Sequence, residues 1–308
     1  MAVTANILST DLNGLILQNP IITASGTYGY NCEYDDFIDV SKLGAVVTKA
    51  ISLRPRAGNK NIRIMETKAG IINSIGLENV GIEKFLTEKL PVLQSKHINF
   101  IVNIAGSTID EYIELSKVCE ANKIKTIELN VSCPNVKSGC LEFGTDESSL
   151  YELVNEVRKI YNGFLIIKLT PNVTSIEKIG LAAQKAGANA VSAINTLKGS
   201  SIKLNLIKGK FQKEIISGGY SGTGIKPVAI NAVLRLSKVL NIPIIGIGGI
   251  ENLDDVLEFF AAGAEAVQIG TANFTHPDIA EKLLFELSEY IKINGFKDLD
   301  DLKKELRA

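Results

Sequence analysis

The sequence predicts a closed (β/α)8 TIM barrel, and three observations carry that prediction. Eight short apolar runs alternate with amphipathic stretches along the chain. Most of these runs are rich in Val and Ile and read as strands buried on both faces, as a parallel sheet demands. The rival fold, a doubly wound open sheet, announces itself with an early G-x-G-x-x-G turn. The first βα junction lacks one, and the late glycines Gly246, Gly248 and Gly249 lead to Glu251 at the sixth position.

The strands are expected at Ile21–Ala24, Ala45–Lys49, Phe100–Ile104, Thr126–Ser132, Phe164–Leu169, Ala190–Asn195, Pro243–Gly248 and Ala266–Gly270. Between them, Ile82–Gln94, Thr108–Ala121, Ser148–Tyr161, Ile176–Ala186, Ile225–Leu240, Leu253–Ala262 and Pro277–Ile293 place apolar residues three or four apart, the spacing of a helix with one buried face. A short helix near Glu33–Val40 follows the first strand. Ser107 or Thr108, and Asp146, are candidate N-caps; Gly187 and Gly263 are candidate C-caps. Long excursions follow strands 2, 4 and 6: Ser52–Val80, the Gly-, Ser- and Asn-rich segment from Pro134 to Asp146, and Thr196–Gly224. All three leave the C-terminal side of the barrel, where such folds build active sites, and the first and third are too long to be plain loops. Lys297–Ala308 reads as a short charged surface helix, and residues 1–308 as one domain.

Composition excludes several functions. Lys plus Arg is 33 against 34 Asp plus Glu, so no basic field exists for nucleic acid. Cys32, Cys119, Cys133 and Cys140 form no C-x-x-C pair, which leaves no zinc or iron–sulfur framework and no metal expected. A disulfide scaffold is not expected in a chain this long, so a reducing cytoplasm fits. The start, MAVTANILSTDLNG, is no signal peptide. The apolar runs fall short of the roughly 18 residues that a membrane span needs.

Polar or unusual residues close almost every expected strand: Ser25, Lys49, Asn103, Asn130 with Cys133, Lys168 with Thr170, Asn195 with Thr196, Gly248–Gly249 and Gly270–Thr271. One Lys or Asn at a strand end is ordinary. Eight such ends on one rim call for a polar, anionic ligand. The glycines after strands 7 and 8 suit a phosphate, held by backbone N–H groups and a short extra helix at Ala272–Phe274. A second lysine in the rim suits a reduced flavin, which develops negative charge near N1. Pro134 ends the fourth strand and leaves the Cys133 thiol on a loop over the crevice, near lysines that favour a thiolate. Cys119, in an amphipathic helix, is a packing residue; His97 and His276 end no strand and read as surface or capping groups. No H-E-x-x-H, paired-carboxylate or G-x-S-x-G pattern supplies hydrolase machinery.

The segment Asn130–Asp146, NVSCPNVKSGCLEFGTD, resembles the catalytic loop of the class 1 dihydroorotate dehydrogenases. ETKAGIINSIGLENVG (Glu66–Gly81), GGYSGTGIKP (Gly218–Pro227) and PIIGIGGIEN (Pro243–Asn252) agree with it, and the resemblance covers essentially the whole chain. It implies a single FMN-binding barrel that oxidises (S)-dihydroorotate to orotate in de novo pyrimidine biosynthesis. Cys133 would be the general base that takes the C5 proton while hydride leaves C6 for N5 of FMN. Lys49 would bind flavin and substrate. Asn73, Ser74, Ile75, Gly76 and Leu77, with Asn130, Asn195 and Thr196, would hydrogen-bond the orotate ring and carboxylate. Ser25, Ala50, Asn103, Asn130, Lys168 and Ile194 would line the isoalloxazine and ribityl chain; Gly222, Gly248, Gly249, Gly270 and Thr271 would cradle the phosphate.

Within the family, Lys137–Asp146 and Ala69–Gly81 look like class 1B, in which electrons pass to a partner subunit holding FAD and a [2Fe-2S] cluster and then to NAD+. That resemblance implies a homodimer core inside an α2β2 heterotetramer. The alternative is a class 1A enzyme linked to fumarate. Thr223 and Gly224 stand where Pro and Ala would be expected, and Cys140 where Gly is usual. Rival readings are a tRNA dihydrouridine synthase-like FMN barrel, a non-catalytic flavin- or phosphate-binding barrel, and an aldolase using Lys168 as a Schiff base. The first wants a basic face, the second leaves Cys133 and the asparagines without a task, and the third wants a desolvated lysine and no flavin.

Overall fold

The computed structural model describes residues 6–30, 37–60, 62–132 and 142–308. Its centre is a closed barrel of eight parallel strands: β1 (Ile21–Thr23), β2 (Ala45–Val47), β3 (Phe100–Ile104), β4 (Thr126–Asn130), β5 (Phe164–Leu169), β6 (Ala190–Ala193), β7 (Ile244–Ile247) and β8 (Ala266–Ile269). Each strand pairs with the next in sequence, and β8 closes on β1 through Val267↔Ile21. Six of the expected runs stop one or two residues early, because Lys49, Ser132, Asn195 and their equivalents leave the ladder to line the mouth.

Helices Ile109–Ala121, Glu147–Arg158, Ile176–Lys185, Lys226–Ser237, Leu253–Ala261 and Ile279–Ile293 follow β3 to β8 in turn. The helix after β2 is split into Ile82–Lys84 and Leu90–Ser95 by a π turn at Phe85–Lys89. Pro91, just beyond that turn, has no N–H to donate and crowds the carbonyl four residues back, which favours the wider turn. Thr108 is the cap of its helix, accepting from the Glu111 N–H at 3.2 Å; the Ser107 N–H instead donates to the Glu111 carboxylate.

Three expectations change. Most of the helix expected at Glu33–Val40 falls outside the described residues; Phe37–Asp39 are not helical, and a 3-10 turn capped by Asp39 occupies Val40–Lys42. The C-terminal helix, Leu299–Leu306, is docked rather than superficial: Leu299, Leu302 and Lys303 are buried. Lys303 Nζ reaches the Glu265 carboxylate at 2.9 Å, and Arg307 meets the same group at 2.8 Å. Charge at these positions is therefore an anchor. Finally, an antiparallel hairpin, Thr10–Asp11 with Ile16–Leu17, precedes the barrel and was not expected. Leu12 and Leu17 are fully buried against Ile22, Val47, Ile101, Ile166 and Ile245, so the hairpin seals the floor of the barrel.

The excursions after β2 and β6 build one structure. Leu197–Ile207, Lys210–Ser221, Gly70–Asn73 and Ile64–Thr67 form a four-stranded antiparallel sheet in that order. The joint is Gly219↔Asn73, Tyr220↔Ile72 and Ser221↔Ile71. Two loops far apart in sequence are thereby fixed to each other at the barrel mouth, with Asn73 Nδ2 donating at 3.0 Å to the carbonyl of Gly219, 146 residues further on.

Candidate active site

Strand alternation decides what the barrel interior holds. Ile101, Ile166, Ala190 and Ala266 point inward in the apolar floor. Two residues further along the same strands, on the same face, come Asn103, Lys168, Ser192 and Gln268. Glu128 of β4 joins them and is fully buried. Its Oε1 accepts from Asn103 Nδ2 at 2.7 Å, and its Oε2 accepts from Ser192 Oγ at 2.7 Å and Gln268 Nε2 at 3.0 Å. Lys168 Nζ lies 3.8 Å from Oε1. This polar layer was not anticipated; its sequence signal is a carboxylate between Ile127 and Leu129 in a buried strand.

Above the layer opens a cavity of about 400 Å³, within the size range of cofactor and ligand sites. Lys168 forms part of its wall. So do Ser25, Lys49, Ala50, Asn73, Ile75, Gly76, Leu77, Asn130, Ile194, Asn195, Thr196, Gly222, Gly248, Gly249, Gly270 and Thr271, which are nearly all the residues singled out from the sequence. Two are not in the wall. Ser74 accepts from Asn59 Nδ2 through both its carbonyl and its hydroxyl, at 3.0 Å each. Asn103 is buried in the layer beneath, where its Oδ1 has no partner. Cys133 and Cys140 lie outside the described residues, as does Cys32. Ser132, the neighbour of Cys133, lines the cavity, and the far end of that loop is tied down by Glu142, which pairs with Lys198 at 2.9 Å.

The amides are held in place. Asn195 Nδ2 donates to Asn130 Oδ1 at 3.1 Å, and Asn130 is backed by Tyr112, whose hydroxyl donates to its carbonyl at 2.6 Å. Leu77 takes a left-handed backbone (φ 53°), a strained state for leucine of the kind that gathers at working sites; Asn79 Nδ2 fixes its carbonyl at 2.7 Å. Sequence reasoning missed Glu78, which stands in the wall 3.7 Å from Lys49 Nζ and 2.7 Å from Arg63.

At the other end of the cavity, among the described residues, the backbone N–H groups of Gly248, Gly249, Gly270 and Thr271 find no acceptor. Gly249 has φ 74°, and a Cβ there would stand 2.7 Å from Lys226 Cβ. The expected extra helix exists as a 3-10 turn, Thr271–Phe274. Gly224 also has a reason: a Cβ would lie 2.0 Å from the Tyr220 hydroxyl, which donates to Ala69 O. The buried Cys119 thiol is pushed up to about 12 by burial, which suits a packing role. Among the described residues, no cluster of His, Cys, Asp and Glu could hold a metal ion, and no helix is long and apolar enough to cross a membrane.

A closed barrel with an apolar floor and a mouth lined by lysines, amides and glycines has the architecture of barrel enzymes, whose sites lie at the C-terminal ends of the strands. Comparison with known proteins narrows this. The family model described as "Dihydroorotate dehydrogenase" matches residues 7–291. A protein of Geotalea daltonii is 47% identical over 296 residues, covering 96% of each chain. One of Listeria welshimeri is 45% identical over 304 residues, covering 97% of this chain and 98% of its own. One of Caldicellulosiruptor saccharolyticus is 43% identical over 295 residues, covering 96% and 97%. All three are named dihydroorotate dehydrogenase B (NAD(+)), catalytic subunit. This chain is an enzyme of the dihydroorotate dehydrogenase family.

Proposed function

We propose that this chain oxidises (S)-dihydroorotate to orotate in pyrimidine biosynthesis, as the FMN-carrying catalytic subunit of an NAD+-linked enzyme. The single observation that carries the reading is the joining of two halves in one cavity: an amide-and-lysine end and a glycine end rich in free N–H donors. Nearly full-length relatives at 43–47% identity support the substrate.

The residues suit FMN. The N–H groups of Gly248, Gly249, Gly270 and Thr271 would hold its phosphate. Lys168, part of the cavity wall, would sit against the ring. When bound, FMN supplies the hydride acceptor. The chain's own groups do the rest. Lys49 neutralises the substrate carboxylate. Asn73, Asn130 and Asn195 hold the ring edges, and their fixed hydrogen bonds reject rings lacking those edges. Cys133, next to Ser132 of the wall, takes the proton from C5, which is acidified by the adjacent carbonyl. Residues 1–308 would act as one FMN-binding domain in a reducing cytoplasm. FAD and [2Fe-2S] would sit on a partner subunit, around a homodimer core in an α2β2 assembly.

The test is anaerobic reduction with dihydroorotate, followed by an acceptor. We expect NAD+ to reoxidise the flavin only when the iron–sulfur partner is added. Reoxidation by fumarate alone would move the protein to the fumarate-linked class.

A further inference from the structure

The proposed function uses the cavity wall and leaves Glu128 without a task. A buried carboxylate is costly unless it is fully engaged. A plain structural plug needs no charge: the layer below is filled by Ile, Val, Ala and Leu together with Thr126, none of them charged. Glu128 sits one layer higher: one of its neighbours, Lys168, belongs to the cavity wall, and two, Asn103 and Gln268, carry an unsatisfied atom. An ionised carboxylate only accepts, so Asn103 and Gln268 must both turn their NH2 groups toward it. Their carbonyl oxygens, Oδ1 and Oε1, are then buried without partners. The fourth neighbour, Lys168, forms part of the cavity wall and has a side chain only 7% exposed. No other cation lies within 4 Å of Glu128 among the described residues.

We propose that Glu128 is a positioning residue for the ring-binding end of the cavity: it holds Lys168 in place and, as a negative charge behind that lysine, lowers the reduction potential of the bound flavin. This rests on the proposed FMN reading. The physical logic is a charge balance. Lys168 favours the reduced ring, which carries extra negative charge near N1. Glu128 offsets part of that pull, in a low-dielectric interior where such effects are weakly screened. Ser192 and Gln268 in turn stabilise the carboxylate and moderate its field. The potential is thus set by a residue that touches neither substrate nor flavin.

Two substitutions test this with opposite signs. Glu128→Gln keeps shape and removes the charge. At a fixed potential we expect its reduced-to-oxidised flavin ratio to rise at least tenfold, which is about 30 mV for a two-electron couple. Ser192→Ala leaves the charge with one donor fewer, is mild enough to fold if the first variant does not, and should move the potential downward by a smaller amount. Both are read by anaerobic dye-coupled titration of the bound flavin, with FMN content measured in parallel. An unchanged or lowered potential in Glu128→Gln, or an unchanged or raised one in Ser192→Ala, overturns the inference. A purely structural Glu128 would change unfolding and leave the potential where it was. Failure of the unsubstituted protein to bind FMN would instead sink the proposed function.

Discussion

The two ends of the barrel are made from the same eight strands and differ in almost everything else. At the floor, Ile22, Val47, Ile101, Ile166 and Ile245 meet Leu12 and Leu17 of the hairpin. At the mouth the same strands finish in Lys49, Asn130, Lys168, Asn195 and glycines. Two residues along a strand carry the chain from one regime to the other, as from Ile166 to Lys168. The floor uses burial to hold the fold, and the mouth can therefore tolerate lysines, a strained Leu77 and N–H groups that are unpaired among the described residues. Stability and function should accordingly separate on mutation.

The largest effect is expected at the mouth. Cys133→Ala should retain FMN and bind orotate, yet slow flavin reduction by dihydroorotate by about 10²–10⁴-fold, the usual contribution of a general base. Stopped-flow reduction checks it, and an unslowed rate near neutral pH refutes the base assignment. Cys133→Ser should keep some activity, shifted to high pH, because a hydroxyl is a far weaker acid than a thiol.

At the floor, Leu12→Ala should cost about 2–5 kcal/mol of unfolding free energy, as for other fully buried leucines. Denaturant unfolding measures this, and the flavin spectrum and turnover of the folded fraction should stay unchanged. Altered turnover would mean that the two ends are coupled. Gly249→Ala should act in the reverse sense. Its φ of 74° and the 2.7 Å approach to Lys226 Cβ put strain of about 1–3 kcal/mol into the phosphate cradle, read as weaker FMN binding by fluorescence.

The smallest effect concerns pH at the floor. Burial pushes the Glu265 carboxyl up, but the Lys303 and Arg307 charges outweigh this and hold it below the usual carboxylate range. Its folded value is the depressed one, so its contribution is present above the unfolded value of 4.5 and is lost as pH falls through the lower folded value. Hydrogen exchange in Leu299–Leu306 should therefore rise in acid, and Glu265→Gln should abolish most of that dependence.

The barrel was legible because a strand buried on both faces has few ways to be written, and the wall residues at strand ends, such as Lys49, Asn130, Lys168 and Asn195, were legible because polar groups stand out against it, whereas Asn73, Ile75, Gly76, Leu77, Ala50, Ile194 and Gly222 came only with the family resemblance. What stayed hidden is what sequence distance conceals. The Asn73–Gly219 joint needs two excursions to pair. The docked helix looked superficial because Lys303 and Arg307 find their partner Glu265 only in three dimensions. Asn103 read as a wall residue because it shares a strand end with the rest, yet it lies in the layer below. Glu128 differs: it was readable as a charge inside a buried strand, and only its neighbours from four other strands give that charge a meaning.

The most direct test of the central claim is the visible spectrum of the FMN-loaded protein during anaerobic addition of dihydroorotate. The two-ended cavity predicts a yellow protein that bleaches as orotate appears. A protein that takes up no flavin, or one whose colour survives excess dihydroorotate, would contradict it.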